Sequence, residues 1–219
     1  MKVYFGGTFD PIHFGHIQLS KELVTYFGID HLYLMPCAKA VHKDNVMASA
    51  QQRLDMLELA IDSAPLLTVD DRELKVNKAS FTVDSLRSIR AENELDSVCF
   101  VMGLDSLLSF PTWHLVEEIH RLTNLIILDR PVNSFGLSEK DTFKIREKGL
   151  NSLIKLGFSL ALDHNELRHA KSAKVFFAPL SLYDVSSSEI RRLVKQDKDI
   201  THLVGDKVSK YIQAHQLYQ

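Results

Sequence analysis

The run Phe5-Gly6-Gly7-Thr8-Phe9-Asp10-Pro11-Ile12-His13-Phe14-Gly15-His16 concentrates residue types that can handle phosphate. Gly6 and Gly7 permit positive φ and let a backbone approach a ligand closely. A helix opening just after such a turn offers free N–H groups and the positive end of its dipole to an anion. His13 and His16 are three apart, so in a first helical turn they point to one side. Imidazole N–H donors there could grip charge developing on a transferring phosphoryl group. The run is neither a P-loop, since no Gly-Lys-Ser/Thr follows, nor a GxGxxG fingerprint. Plainer readings stand beside this one. Paired glycines before a helix also make an ordinary tight turn, and a HxxH pair could be half of a metal site, although no third ligand follows at suitable spacing.

A second informative run lies near the other end, Val185-Ser186-Ser187-Ser188-Glu189-Ile190-Arg191-Arg192. Serines ahead of a helical stretch are N-cap candidates, and Ser186 with Glu189 fits a capping box. Arg191 brings a fixed, planar positive fork to the same place, while Arg192 is expected to face solvent.

The elements that must position these groups follow from periodicity. Val3-Tyr4-Phe5 reads as a first strand, and residues 16–27 as a helix stopped by Gly28. Strands are expected at 32–35, 66–69, 98–102, 125–128 and 175–177, with helices at 53–61, 81–89 and 115–119 and from Ser188 onward. Val98-Cys99-Phe100-Val101-Met102 is unbroken apolar sequence, as a central parallel strand covered on both faces requires. Strict alternation of strand and helix predicts an α/β class, a Rossmann-like doubly wound parallel sheet with right-handed crossovers. Ligands then bind at the carboxyl ends of the strands, where the sheet order reverses. The chain reads as a single domain over 1–219, with an α/β core at 1–183 and a small C-terminal helical subdomain at 184–219 carrying the second run. Residues 132–172, punctuated by Gly136, Gly149 and Gly157, read as helix or loop without a role.

Composition narrows the class. Lys and Arg total 26 against 28 Asp and Glu, so no basic field points to nucleic acid and any anion must be held locally. Cys37 and Cys99 form no CxxC and read as free thiols in a reducing compartment. The first strand starts almost at Met1, leaving no room for a signal peptide, and no apolar run approaches the ~20 residues that span a bilayer. A cytoplasmic protein without membrane attachment is expected, as monomer or homodimer.

Together the two runs resemble the GGTFDPxHxGH and ISSTxIR motifs of the nucleotidyltransferase α/β superfamily. The resemblance implies that Gly6, Gly7, Thr8, Phe9 and Gly15 form the ATP turn. His13 and His16 would contact ATP phosphates, with His16 steadying the α-phosphate. Ser187, Ser188 and Arg191 would close over the β- and γ-phosphates. Further segments are similar to bacterial nicotinate-mononucleotide adenylyltransferase along essentially the whole chain: Ser80-Phe81-Thr82, Gly103-Leu104-Asp105-Ser106-Leu107, Phe110-Pro111-Thr112-Trp113, Asp129-Arg130-Pro131 and His42-Lys43.

That likeness implies transfer of the AMP moiety of ATP to nicotinate mononucleotide, giving deamido-NAD and pyrophosphate. The attack would be direct and in line, with no covalent intermediate and with Mg²⁺ carried on the ATP phosphates rather than in a protein metal site. Trp113 would stack on the pyridinium ring, although a lone tryptophan can equally be a core residue. Backbone near Thr82 and His114 would receive the nicotinate carboxylate, beside Ser80 and Phe81. Gly103, Asp105 and Arg130 would belong to the ATP site, Arg130 bordering the adenine or ribose pocket. Asp105 would also accept from ribose hydroxyls on the substrate side, and His42 and Lys43 would meet the mononucleotide phosphate. Ala40-Val41 replaces the family's usual Pro-Pro, which removes two fixed φ angles from that loop.

Overall fold

A computed structural model of the chain describes residues 1–38, 46–76, 81–94, 96–128, 139–170, 172–181 and 183–219. Its elements are β1 (Lys2–Gly7), α1 (Phe14–Phe27), β2 (Leu32–Pro36), α2 (Ala50–Ile61), β3 (Leu67–Val69), α3 (Thr82–Glu92), β4 (Val98–Gly103) and α4 (Leu104–Ser109). After a 3₁₀ turn at Phe110–Thr112 come α5 (Val116–Ile119), β5 (Asn124–Leu128), α6 (Glu139–Lys155), β6 (Ser159–Leu160), α7 (Asn165–Arg168) and β7 (Lys174–Ala178). The chain closes with α8 (Ser187–Lys195), α9 (Thr201–Val204) and α10 (Asp206–Ala214).

The strands pair in the order β3-β2-β1-β4-β5-β7-β6, every pair parallel. The order reverses between β1 and β4, which opens the ligand crevice beyond Gly7 and Gly103. Side chains alternate along each central strand. Val3, Phe5, Cys99, Val101, Ile126 and Phe176 enter one core cluster, and Tyr4, Phe100, Met102, Leu125, Ile127 and Phe177 the other. The first cluster is roofed by α1, α2 and the C-terminal helices, the second by α3 to α6. The C-terminal helices thus share their apolar contacts with α1 and α2: Ile190, Val204, Val208, Ile212, Leu217 and Tyr218 are all buried there.

Sequence periodicity leaves some elements out. Helix α2 begins at Ala50, three residues before the expected start, behind a full capping box in which Ser49 accepts from Gln52 N–H and Gln52 answers to Ser49 N–H. The stretch around 132–172, read without a role, holds α6, the edge strand β6 and α7 among its described residues. Gly149 has a packing reason, because a Cβ there would come 2.3 Å from Leu107 Cδ2 of α4. Helix α6 lies on α4 only because that position has no side chain.

Candidate active site

The first strand–helix turn is built tighter than its glycines suggest. Neither Gly6 nor Gly7 takes positive φ; that conformation falls on Phe9, at φ 50°. The glycines are needed for room instead. A Cβ on Gly6 would meet the Phe100 ring at 2.6 Å, and one on Gly7 the Phe9 ring at 2.7 Å. This corrects the expectation that conformational freedom explains the pair. Gly15 makes room in the same way at the start of α1, since its Cβ would stand 2.7 Å from Val185 Cγ1. The two distant runs therefore touch, backbone against side chain.

His13 is the N-cap of α1 and lies just outside the helix, and no side chain caps that helix end. Its ring still faces that of His16, stacked with centroids 3.7 Å apart and planes 27° from parallel. The edge of Phe9 meets His16 from another side, at 5.1 Å and 77°. His13 is buried, and burial lowers its pKa from 6.5 to about 4, so it is a neutral imidazole at physiological pH. Its Nδ1 is buried without a hydrogen-bond partner among the described residues. A buried nitrogen in that condition suits a site completed by a ligand. Among the described residues no group of three or more His, Cys, Asp or Glu gathers to hold a metal ion.

Helix α8 approaches the turn from the C-terminal side. Ser186 is its N-cap and accepts from Glu189 N–H at 3.2 Å. Only this half of the expected capping box forms, because the Glu189 carboxylate pairs with Arg192. Ser187 Oγ donates to the Pro11 carbonyl at 2.9 Å, and Arg191 Nη1 to the Asp10 carbonyl at 2.6 Å. Arg191 Nη2 reaches Ser188 Oγ at 3.3 Å. Ser187, Ser188 and Arg191 are thereby fastened beside the turn that carries His13 and His16.

Asp10, a motif residue given no role above, and Arg53, outside both motifs, hold the turn in place. Asp10 is 3% exposed and its carboxylate accepts from Met47 N–H at 2.9 Å, Ala48 N–H at 3.1 Å and the Tyr218 hydroxyl at 2.7 Å. Arg53, 1% exposed, donates from Nη1 to the Thr8 carbonyl at 2.8 Å and from Nη2 to the Ala38 carbonyl at 3.2 Å. A signal for Arg53 was present: with Met56 and Leu57 it occupies the i, i+3, i+4 buried stripe of α2. A charge on such a stripe needs partners, and these are two backbone carbonyls from separate loops.

The other half of the crevice is looser. Phe81 is the N-cap of α3, whose start no side chain caps, and its ring lies on that of His114 at 4.3 Å. Thr82 is the first residue of the same helix. Trp113 follows the 3₁₀ turn, half-buried, with Nε1 3.4 Å from Ser109 Oγ. It stands edge-on to Phe100 at 6.3 Å and tilted against Phe110 at 5.1 Å. Phe100, which also occupies the space above Gly6, thus connects the two halves. Gly103 is the N-cap of α4 and Asp105 lies in that helix. His42, Lys43, Ser80 and Arg130 lie outside the described residues, as does the side chain of Asp105.

A model of the cytidylyltransferase-like family matches residues 4–193. A protein of Psychromonas ingrahamii, named a probable nicotinate-nucleotide adenylyltransferase, is 38% identical over 216 residues, covering 99% of this chain and 96% of its own. One of the same name from Vesicomyosocius okutanii is 36% identical over 211 residues, covering 96% and 93%. The chain belongs to the nicotinate-nucleotide adenylyltransferase family. The resemblance read from the two motifs points to this same family. The adenylyltransferase fold is matched too: a nicotinic acid mononucleotide adenylyltransferase of Plasmodium falciparum, solved in complex with NaAD, superposes with a TM-score of 0.69. At 18% identity over 100% of this chain and 98% of that one, this likeness concerns the fold.

Proposed function

We infer that the chain transfers the AMP moiety of ATP to nicotinate mononucleotide, forming deamido-NAD and releasing pyrophosphate in the synthesis of NAD. The observation that carries this reading is the convergence of the His13–His16 pair with Ser187, Ser188 and Arg191 on one turn at the β1/β4 reversal. ATP enters as its Mg²⁺ complex, with the ion riding on the phosphates as part of the substrate. Asp10, the carboxylate of this turn, is already occupied by Met47, Ala48 and Tyr218.

In the reaction, a phosphate oxygen of the mononucleotide attacks the α-phosphorus of ATP. The bond from that phosphorus to the bridging oxygen breaks, and pyrophosphate leaves on the opposite side. Transfer of this kind needs positioning and charge neutralisation more than a protein nucleophile. His16 and His13 donate N–H groups to the α-phosphate region. Ser187, Ser188 and Arg191 hold the departing phosphates, beside the ATP turn formed by Gly6 to Phe9 and Gly15.

On the acceptor side, Trp113 stacks on the pyridinium, and the uncapped start of α3 at Phe81 and Thr82, with His114, receives the nicotinate carboxylate. A carboxamide turns an NH₂ donor toward those N–H groups and leaves buried polar groups unpaired, at a cost of about 1–3 kcal/mol. Asp105 and Gly103 serve the ribose, Arg130 the nucleoside pocket, and His42, Lys43 and Ser80 the acceptor.

Among the described residues no helix is long and apolar enough to cross a membrane, and Cys99 is a free, buried thiol. The proposed place of action is the cytoplasm, on small-molecule substrates. The test follows label from ATP carrying ³²P at the α-position, supplied with nicotinate mononucleotide. Label appears in deamido-NAD and none stays on protein trapped in mid-turnover. A labelled protein intermediate overturns direct transfer, and unlabelled dinucleotide overturns the reaction.

A further inference from the structure

Tyr218 stands next to the end of the chain, yet its hydroxyl meets a residue 208 positions earlier. It is 3% exposed and packed into the core cluster that contains Phe9, Ile12 and Ile190. The hydroxyl donates to Asp10 Oδ1 at 2.7 Å, an oxygen that also accepts from Ala48 N–H at 3.1 Å. Oδ2 accepts from Met47 N–H at 2.9 Å and lies 3.9 Å from Arg191 Nη1. That guanidinium is not closed onto the carboxylate: Nη1 is committed to the Asp10 carbonyl at 2.6 Å and Nη2 to Ser188 Oγ at 3.3 Å. Burial and the neighbouring Asp10 carboxylate push the Tyr218 pKa up, so the hydroxyl stays a donor throughout the working range.

A buried carboxylate attracts the nearest cation strongly, because the low local dielectric weakens the competition from water. Here neutral donors supply its hydrogen bonds, and Arg191 is left one step away, bonded to the backbone carbonyl rather than the acid. We propose that Tyr218 is a positioning residue for ATP: by satisfying Asp10, it keeps the carboxylate from capturing Arg191 and so leaves that guanidinium directed at the triphosphate. The proposal rests on the reading of Ser187, Ser188 and Arg191 as the β,γ-phosphate anchor. Without the hydroxyl, Oδ1 keeps, among the described residues, only the Ala48 N–H. Closing the 3.9 Å gap then becomes favourable, at the expense of the Ser188 contact.

The test is calorimetric binding of a non-hydrolysable ATP analogue, methylene-bridged between the α- and β-phosphates, with Mg²⁺ and no acceptor present. Tyr218→Phe keeps the ring in the core and should bind about tenfold more weakly, the worth of one hydrogen bond to a charged group. In an Arg191→Ala background, removing the hydroxyl should change affinity by less than about twofold, because no guanidinium remains to be diverted. Tyr211→Phe breaks a comparable bond from the C-terminal helices to Asp55 and should bind like wild type. If circular dichroism shows Tyr218→Phe unfolded, Tyr218→Met fills a similar volume without the hydroxyl and takes its place.

Equal affinity of wild type and Tyr218→Phe overturns the proposal. So does a tenfold loss that persists in the Arg191→Ala background, which would mark Tyr218 as a support of the fold alone. Failure of wild type to bind the analogue defeats the ATP reading itself, a separate outcome.

Discussion

The two halves of the crevice are built to different standards. Around the first turn, side chains from α2, α8 and the C-terminal residues bond to the turn itself: Arg53 to the Thr8 carbonyl, Ser187 to the Pro11 carbonyl, Arg191 to the Asp10 carbonyl and Tyr218 to the Asp10 carboxylate. Across the crevice, Trp113 is half-buried and His114 is exposed. Groups that stabilise a transition state must be in place before the reaction, since reorganising them would cost some of the rate gain. An acceptor pocket has a lesser task, which is to seat a ring and a carboxylate. Defects on the first side should therefore fall on turnover, and defects on the second on acceptor affinity.

The sharpest way to break that contrast is His16→Ala. It should lower kcat by on the order of 10²–10³, with acceptor KM little changed, as loss of a transition-state donor does. Steady-state kinetics with both substrates varied would show it, and near-normal turnover would remove His16 from the mechanism. Trp113→Ala should act on the other side, raising the KM for nicotinate mononucleotide by about tenfold while the KM for ATP moves far less. Equal changes in both constants would mean that Trp113 supports Phe100 and Phe110 rather than the acceptor.

Gly6→Ala tests how tightly the first side is built. Its new Cβ would sit 2.6 Å from the Phe100 ring, so it should destabilise the fold by about 1–3 kcal/mol in urea unfolding. Because Phe100 also touches Trp113, that variant should disturb acceptor binding as well. An unchanged midpoint would show that the ring has space to move.

A smaller effect concerns pH. Folding holds His13 at a pKa of about 4, below its ordinary 6.5, so between these values the unfolded chain binds a proton that the native state refuses. The contribution is fully present above pH 6.5 and is lost as pH falls toward 4. Relative to wild type, His13→Gln should flatten the rise of stability with pH in that window, measured by urea unfolding in a series of buffers. Parallel curves for the two proteins would place the titration elsewhere.

What the sequence disclosed divides along physical lines. The sheet was legible because buried parallel strands leave unbroken runs such as residues 98–102, and the phosphate motifs because their residues are contiguous. Tyr218 was not, since it works on a carboxylate far along the chain that no local pattern marks, and for Arg53 the α2 stripe marks the burial but not the carbonyls it holds. One of the two reasons for noticing the glycine pair was wrong: positive φ is a local property, whereas the clash with Phe100 arises from a neighbouring strand. Helix α6 is ambiguous between helix and loop in the sequence because exposed Phe143 and Ile154 blur its apolar stripe, and Gly149 weakens the helical pattern in its middle. Strand β6 is two exposed residues that only pairing with β7 defines.

The most direct test of the central claim is pyrophosphate release from Mg²⁺-ATP, with nicotinate mononucleotide and nicotinamide mononucleotide offered in parallel. The proposed phosphate anchors facing an uncapped helix start predict rapid release with the acid and kcat/KM about 5- to 150-fold lower with the amide, the ratio that about 1–3 kcal/mol for the unpaired groups corresponds to. Equal or greater efficiency with the amide would contradict the carboxylate pocket at Phe81, Thr82 and His114, and release with neither acceptor would contradict the proposed reaction.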